Sequence, residues 1–314
     1  ATHRPATPPV VSSSQMTPAG RWQALAVLAV AMVLAMATWF STTVVLDQLA
    51  MAFTLDEAAT RLVAIAVQLG FVAGAVVSAL LGIADRLPPR RLAAGAAVLT
   101  AMVNATALVA PNAWALVIGR FGVGASLALV CPPLLAAMSG WFDRQRGLAL
   151  GVMIGALTLG SAMPHLVRGV GVPDWRTVVL ASSVCALGAG VAARWAVGDG
   201  PLGVPAARFD AHRIVALVAR PGVRHAYVGY LGHMWELYAA WTWVGLFLQQ
   251  ALEGDARVAS LVTFGVVAIG AVGSVAGGVM GERVGKARTA KAALVASGAI
   301  ASVLGFVGHW PRPL

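Results

Sequence analysis

The sequence predicts an all-α fold: a polytopic helical membrane protein of nine transmembrane helices, arranged as a six-helix bundle followed by part of a second. Three observations carry that prediction. Hydrophobic residues make up 59% of the 314 and charged residues only 11%, with a mean hydropathy of +0.81, where a soluble domain carries about 25% charged residues. Nine segments are apolar over the roughly 20 residues that a bilayer crossing needs. A loop also recurs. Gly82 to Arg91 reads GIADRLPPRR and Gly278 to Arg288 reads GVMGERVGKAR, each directly after an apolar stretch, with Asp85 and Glu282 in the same place. A membrane protein whose second half repeats its first is usually a transporter.

The segments follow in order. The first, 22–46, carries Trp39, Ser41, Thr42 and Thr43 toward its far end. The second, 62–83, runs into the first loop copy, and the third covers 92–110. The fourth, 113–139, holds Arg120 about seven residues in, roughly 10 Å deep at 1.5 Å per residue. In the fifth, 147–169, Gly147, Gly151 and Gly155 recur every four residues and so share one face, which suits close helix packing; Pro164 and His165 lie near its outer end. The sixth, 176–197, follows Asp174 and Trp175. Residues 198–225 contain Pro201, Pro205 and Pro221 with mixed charges, the longest loop of the chain. The seventh segment is 226–250, the eighth, 258–281, enters the second loop copy, and the ninth is 290–308.

Charge orients these spans. With the N-terminus in the cytoplasm, sixteen Lys and Arg fall on the inner side and five on the outer, with Arg120 inside a span. Cytoplasmic loops carry this excess in membrane proteins, so the net charge of +10 reads as topology and no nucleic-acid partner is expected. The division that follows is a disordered cytoplasmic tail at 1–20, rich in Pro, Ser and Thr, a six-helix bundle at 21–197, a cytoplasmic loop at 198–225 and a partial bundle of three helices at 226–314. By the offset between the loop copies a complete second half would add three more spans, so the chain reads as nine of twelve. Cys131 and Cys185 both lie in apolar stretches and form no surface disulfide framework. No HExxH, nucleotide loop, cysteine pair or Ser-His-Asp arrangement occurs, so the sequence predicts no enzyme, cofactor, metal site or ATP drive.

The loop residues resemble a known family. Asp85, Arg86, Arg90 and Arg91 resemble the signature loop of the major facilitator superfamily, and the second copy fits it better, with Gly278, Glu282, Arg283, Gly285, Lys286 and Arg288 in register. The first copy departs: Leu81 stands where the signature has its first Gly, and Pro88 replaces the loop Gly. Arg120, Phe121 and Gly124 are similar to the family's fourth-span motif, and Trp175-Arg176 to the pair that often opens its sixth span. The resemblance covers about 20–308 and implies two six-helix halves that alternate access to a central cavity lined by the first, fourth, seventh and tenth spans. It implies that Asp85 latches one half against the other, by accepting hydrogen bonds from helix-end N–H groups or pairing with an Arg. The plainer reading of Arg86, Arg90 and Arg91 is a solvated turn that sets topology. Neither the buried Arg residues of the family's nitrate porters nor the fifth-span Gly-Pro of its drug/proton antiporters is present.

Two ionisable residues lie inside spans that the resemblance places at the cavity. A charge at the bilayer centre costs about 2.5–3.5 kcal/mol on insertion scales, so such residues face a cavity or a partner. Glu236 shares a helix face with His233, and the stretch from His233 to Trp243 adds Tyr238 and Trp241. A membrane-buried carboxyl beside a His can exchange protons near neutral pH, which suits proton coupling; a structural hydrogen bond to a neighbouring helix is the alternative. Arg120 matches a carboxylate or oxyanion in two-pronged geometry, or holds the bundle together. Trp39 and Thr42 are further lining candidates. The expectation is a monomeric, proton-coupled secondary transporter in a bacterial cytoplasmic membrane, its partners a small solute, protons and lipid. A small organic or inorganic anion leads as solute. An exporter of amphipathic compounds, favoured by the Trp-rich seventh span, and a truncated, non-transporting remnant are the rivals.

Overall fold

The structure, a computed structural model, describes residues 18–171, 174–195, 198, 200–203, 216–217, 219–252 and 255–307. The expected tail at 1–20 lies almost wholly outside the described residues, as do half of the loop at 198–225 and the end of the last expected helix. Among the described residues all regular structure is helical.

The chain starts with α1 (Pro18–Met36), leaves the helix over residues 37–42, and resumes as a short 3₁₀ turn and α2 (Leu46–Ala52). The expected first span is therefore two helices around a break. α3 (Glu57–Leu81) begins at Asp56, whose side chain accepts the Ala59 N–H at 2.7 Å, and ends at Gly82, whose φ of +59° is the left-handed conformation that glycine adopts without strain. The first loop copy contains the four-residue α4 (Ile83–Arg86). Pro89 opens α5 (Pro89–Ala105), a position where a missing N–H costs nothing, and a 3₁₀ turn extends it to Val109. Asn112 caps α6 (Ala113–Leu127) through the Ala115 N–H, and a second break at residues 128–130 separates it from α7 (Cys131–Ser139). Then come α8 (Arg146–Val170), α9 (Trp175–Trp195), α10 (Pro221–Ala251), α11 (Ala256–Arg283) and α12 (Lys286–Val307).

These helices fall where the nine expected spans lie. By length and composition alone, six described helical stretches suffice to cross a membrane: Glu57–Leu81, Pro89–Val109, Ala113–Ser139, Arg146–Val170, Trp175–Trp195 and Ala256–Arg283. Of the other three, the first is interrupted by its break, the seventh carries His233, Glu236 and several aromatic groups, and the ninth opens on Lys286, Arg288 and Lys291.

In the first half α3 packs on α6, α5 on α9, and α1 on both α8 and α9. Glycine sets the closest approach. A methyl added at Gly74 would lie 2.5 Å from the Ala125 carbonyl oxygen, and one at Gly124 would strike the Val67 carbonyl. In a bilayer, where lipid is as apolar as Leu, such backbone proximity drives association more than hydrophobic burial does. Leu28, Met32, Val123, Leu127, Leu134, Phe142 and Met153 fill the core between these helices. A second, smaller cluster around Leu49, Val63, Leu116 and Trp175 lies beyond the first-span break. α10 packs on α11 and α11 on α12, and α11 also lies along α8 of the first half.

Candidate functional site

The broken first span places its side chains by a polar network. The last carbonyls of a helix have no partner within it, and in hydrocarbon they must find one. Arg120 reaches across from α6 and supplies it. Its Nη2 donates to the Trp39 carbonyl at 2.7 Å and to that of Thr38 at 3.3 Å; its Nη1 donates to the Thr38 carbonyl at 3.2 Å, Ser41 Oγ at 3.4 Å and Asn104 Oδ1 at 3.2 Å. Asn104, on α5, passes the connection on to α9, its amide donating to the Val179 carbonyl and to Ser182 and Ser183 at 2.9–3.1 Å. Arg120 is 2% exposed, and only its Nε lacks a partner among the described residues. The guanidinium thus faces the first-span break and its terminal nitrogens are occupied by the fold, the bundle-holding arrangement that the sequence offered beside a solute contact.

The break in turn presents aromatic rings to the second half. Trp39 stacks on Tyr238 of α10, with centroids 6.1 Å apart and planes 17° apart. Phe40 meets Trp241 edge-on at 6.0 Å, Phe71 of α3 meets Trp39 at 5.2 Å, and Tyr238 and Trp241 lie 6.2 Å apart. Trp39 Nε1 and Thr42 Oγ1 are buried here without a hydrogen-bond partner among the described residues. Three of the expected lining residues, Trp39, Tyr238 and Trp241, belong to this region where the halves meet, and the fourth, Thr42, is buried at the end of the break. Phe40 and Phe71 complete it; among so many apolar residues the sequence offered no signal for either. Asn104 did carry a signal, a lone amide in an apolar segment.

Glu236 lies elsewhere. Two residues before Tyr238, it points about 200° away around the helix. Its Oε1 accepts a hydrogen bond from Ser297 on α12 at 2.6 Å, and its Oε2 lies 3.9 Å from His233 Nδ1. The His–Glu pair expected from spacing is present, held against α12 and about a third exposed, apart from the aromatic rings.

At the loop copies the halves meet again. Glu282, at the end of α11, accepts the Gly147 N–H in the first turn of α8 at 2.6 Å. An acid at a helix N-terminus gains from the unpaired N–H groups and the helix dipole. Gly147 and Gly278 touch backbone to backbone, and methyls added at Gly151 or Gly155 would come within 2.6 Å of the Ser274 and 2.9 Å of the Ala271 carbonyl oxygens. The glycine face of the fifth span is thus a seam against α11. At the opposite end Arg257 donates to the Val170 carbonyl, the last residue of α8, at 3.1 Å. Gly285 turns the second loop with φ +103°, and Arg283 stands in the last turn of α11. In the first copy Asp85 and Arg86 are exposed, and among the described residues Asp85 accepts no side-chain hydrogen bond. Arg90 donates to the Arg194 carbonyl at 2.9 Å. The hydrogen bond from a helix-end N–H that the sequence led us to expect at Asp85 is made at Glu282.

A family model of the Major Facilitator Superfamily matches residues 28–313. Among solved structures, the chain is similar to a bacterial homolog of the human lysosomal transporter Spinster in an inward-facing, unoccupied conformation. The TM-score is 0.62 at 17% sequence identity, over 85% of this chain and 64% of that one. At that identity the likeness speaks to the fold. No curated protein matches the sequence.

Proposed function

Because the chain belongs to the Major Facilitator Superfamily, we propose that it serves as a secondary transporter, moving a small amphipathic solute with an aromatic or planar apolar part by alternating access, with protons as the coupling ion. The observation that carries the solute class is the contact of Trp39 and Phe40 with Tyr238 and Trp241, an aromatic set built from both halves. Rings that touch across two moving bodies separate when the bodies do, and an apolar solute can take the vacated faces. Trp39 Nε1 and Thr42 Oγ1 add polar atoms for orientation, the usual composition of a small-molecule site. A small anion, the other class the sequence suggests, would draw on Arg120, whose terminal nitrogens already serve the first span.

The coupling part of the proposal rests on Glu236 and His233. The carboxylate accepts a hydrogen bond from the Ser297 hydroxyl and has the His233 imidazole 3.9 Å away, a distance that a side-chain movement must close before a proton passes between them. The setting is a cytoplasmic membrane with the N-terminus inside, the orientation that the distribution of Lys and Arg favours.

The test is proton flux in sealed proteoliposomes holding a pH-sensitive dye, challenged with neutral and cationic aromatic amphiphiles and, separately, with small carboxylates. Amphiphile-driven proton movement that Glu236→Gln abolishes, at unchanged protein level, is the expected outcome. Flux driven by carboxylates alone would move the assignment to the anion class. Flux that survives Glu236→Gln would remove Glu236 from the proton path.

A further inference from the structure

We infer that Asn104 and Arg120 are positioning residues: together they hold residues 37–42 of the first span in the non-helical shape that presents Trp39 and Phe40 to Tyr238 and Trp241. The importance of that presentation rests on the transport reading above; the clamp itself does not.

Residues 37–42 hold no Pro or Gly, so nothing in their own sequence enforces a break. Leaving the helix strips carbonyls of their partners, which a membrane interior penalises heavily. Side chains of the break answer only part of this: Thr38 Oγ1 turns back to the Ala35 carbonyl, and Ser41 Oγ donates to that of Thr38. The Trp39 carbonyl receives its 2.7 Å hydrogen bond from Arg120. One planar guanidinium spans two consecutive carbonyls, a reach that a single ammonium lacks.

Arg120 needs an anchor of its own, because a side chain free to turn would leave the break unserved. Asn104 provides it. Its oxygen accepts from Arg120 while its amide donates to three oxygens of α9. The chain of contacts therefore runs from the sixth span through the third and fourth to the first, within the buried interior of the first half. Thr42, fully buried at the end of the break, is the natural reporter of its shape.

The experiment uses the full chain, purified in detergent, with Cys131→Ala and Cys185→Ser removing the native thiols. Thr42→Cys reports on the break. Met153→Cys, equally buried on α8 in the same half, reports on general loosening. Alkylation by N-ethylmaleimide is followed for each. Adding Asn104→Ala is expected to speed modification of Thr42→Cys by about tenfold and that of Met153→Cys by less than about twofold. Arg120→Lys is expected to do the same. Asn104→Asp, which keeps an oxygen toward Arg120 but cannot donate to α9, is expected to speed modification as well. An unchanged rate at Thr42→Cys in Asn104→Ala, or rates that rise together at both reporters, would each overturn the clamp. Alkylation needs no transported solute, so a protein that moves no amphiphile can still show the clamp, and the two readings fail separately.

Discussion

Arg120 and Glu236 are both charged residues inside spans, yet their surroundings give them different work. The first meets backbone carbonyls and an amide, a setting that fixes a side chain in place. The second accepts a hydrogen bond from a hydroxyl and lies 3.9 Å from an imidazole, the setting on which the proposed proton coupling rests. Both residues stand out in the sequence as charges in apolar segments. Of their partners, His233 shows by its three-residue spacing and Asn104 as a lone amide, while Thr38 and Trp39, 82 and 81 positions from Arg120, and Ser297, 61 from Glu236, carry no sign of the pairing. At this scale the sharpest prediction concerns Tyr238. Its ring stacks on Trp39, and an aromatic pair is worth about 0.5–1.5 kcal/mol beyond its burial. Tyr238→Ala should weaken binding of an aromatic amphiphile by about tenfold. Tyr238→Phe, which keeps the ring, should stay within about twofold. Titration followed by tryptophan fluorescence would show it, and equal losses in both variants would transfer the role to the hydroxyl.

Among the elements, the seam between α8 and α11 makes the most exacting demand on sequence. A side chain at Gly151 would meet the backbone of Ser274 and Val275, which cannot rotate away. Gly151→Val should therefore force the helices apart and cost about 1–3 kcal/mol, read as a lower unfolding midpoint in detergent. Gly95, on α5, has nothing within 4 Å of the added methyl, so Gly95→Ala should leave the midpoint unchanged or raise it, by up to about 1 kcal/mol in stability. Much of this level was legible: apolar run length located the helices, and the four-residue spacing of Gly147, Gly151 and Gly155 identified the packing face. The first-span break was not legible. A run such as Ala37-Thr38-Trp39-Phe40 has no breaker in it, and its departure from the helix depends on a guanidinium contributed by a distant segment. Nor does a helical repeat say which of its faces a neighbour will take, so the separation of Glu236 from Tyr238 was implicit in the 3.6-residue period while the choice of α12 for Glu236 was not.

For the molecule as a whole, the contacts between halves decide which conformations it can hold. Glu282 joins them at one end of the seam and Arg257 at the other. Removing the Glu282 charge with Glu282→Gln should weaken its end by about 1 kcal/mol, a shift of roughly fivefold between closed and open populations. Spin labels on Leu150 and Met280 would report a longer distance distribution. Asp85→Asn should leave that distribution in place, since Asp85 makes no such contact among the described residues. An unchanged distribution in Glu282→Gln would deny the latch. The paving of the seam has one more consequence. Gly147, Gly151 and Gly155 face Gly278, Ser274 and Ala271, small residues on both sides. A slip of one helical turn, about 5.4 Å, would set small residue on small residue again. Over this stretch the two surfaces form a track of shallow notches, and the tall tooth, Leu261 packed against Gly169, stands farther along the same seam. The hydrogen bond from Gly147 to Glu282 pins this track at one end, and the hydrogen bond from Arg257 to the Val170 carbonyl pins it at the other, so the register between the halves is held by its two ends.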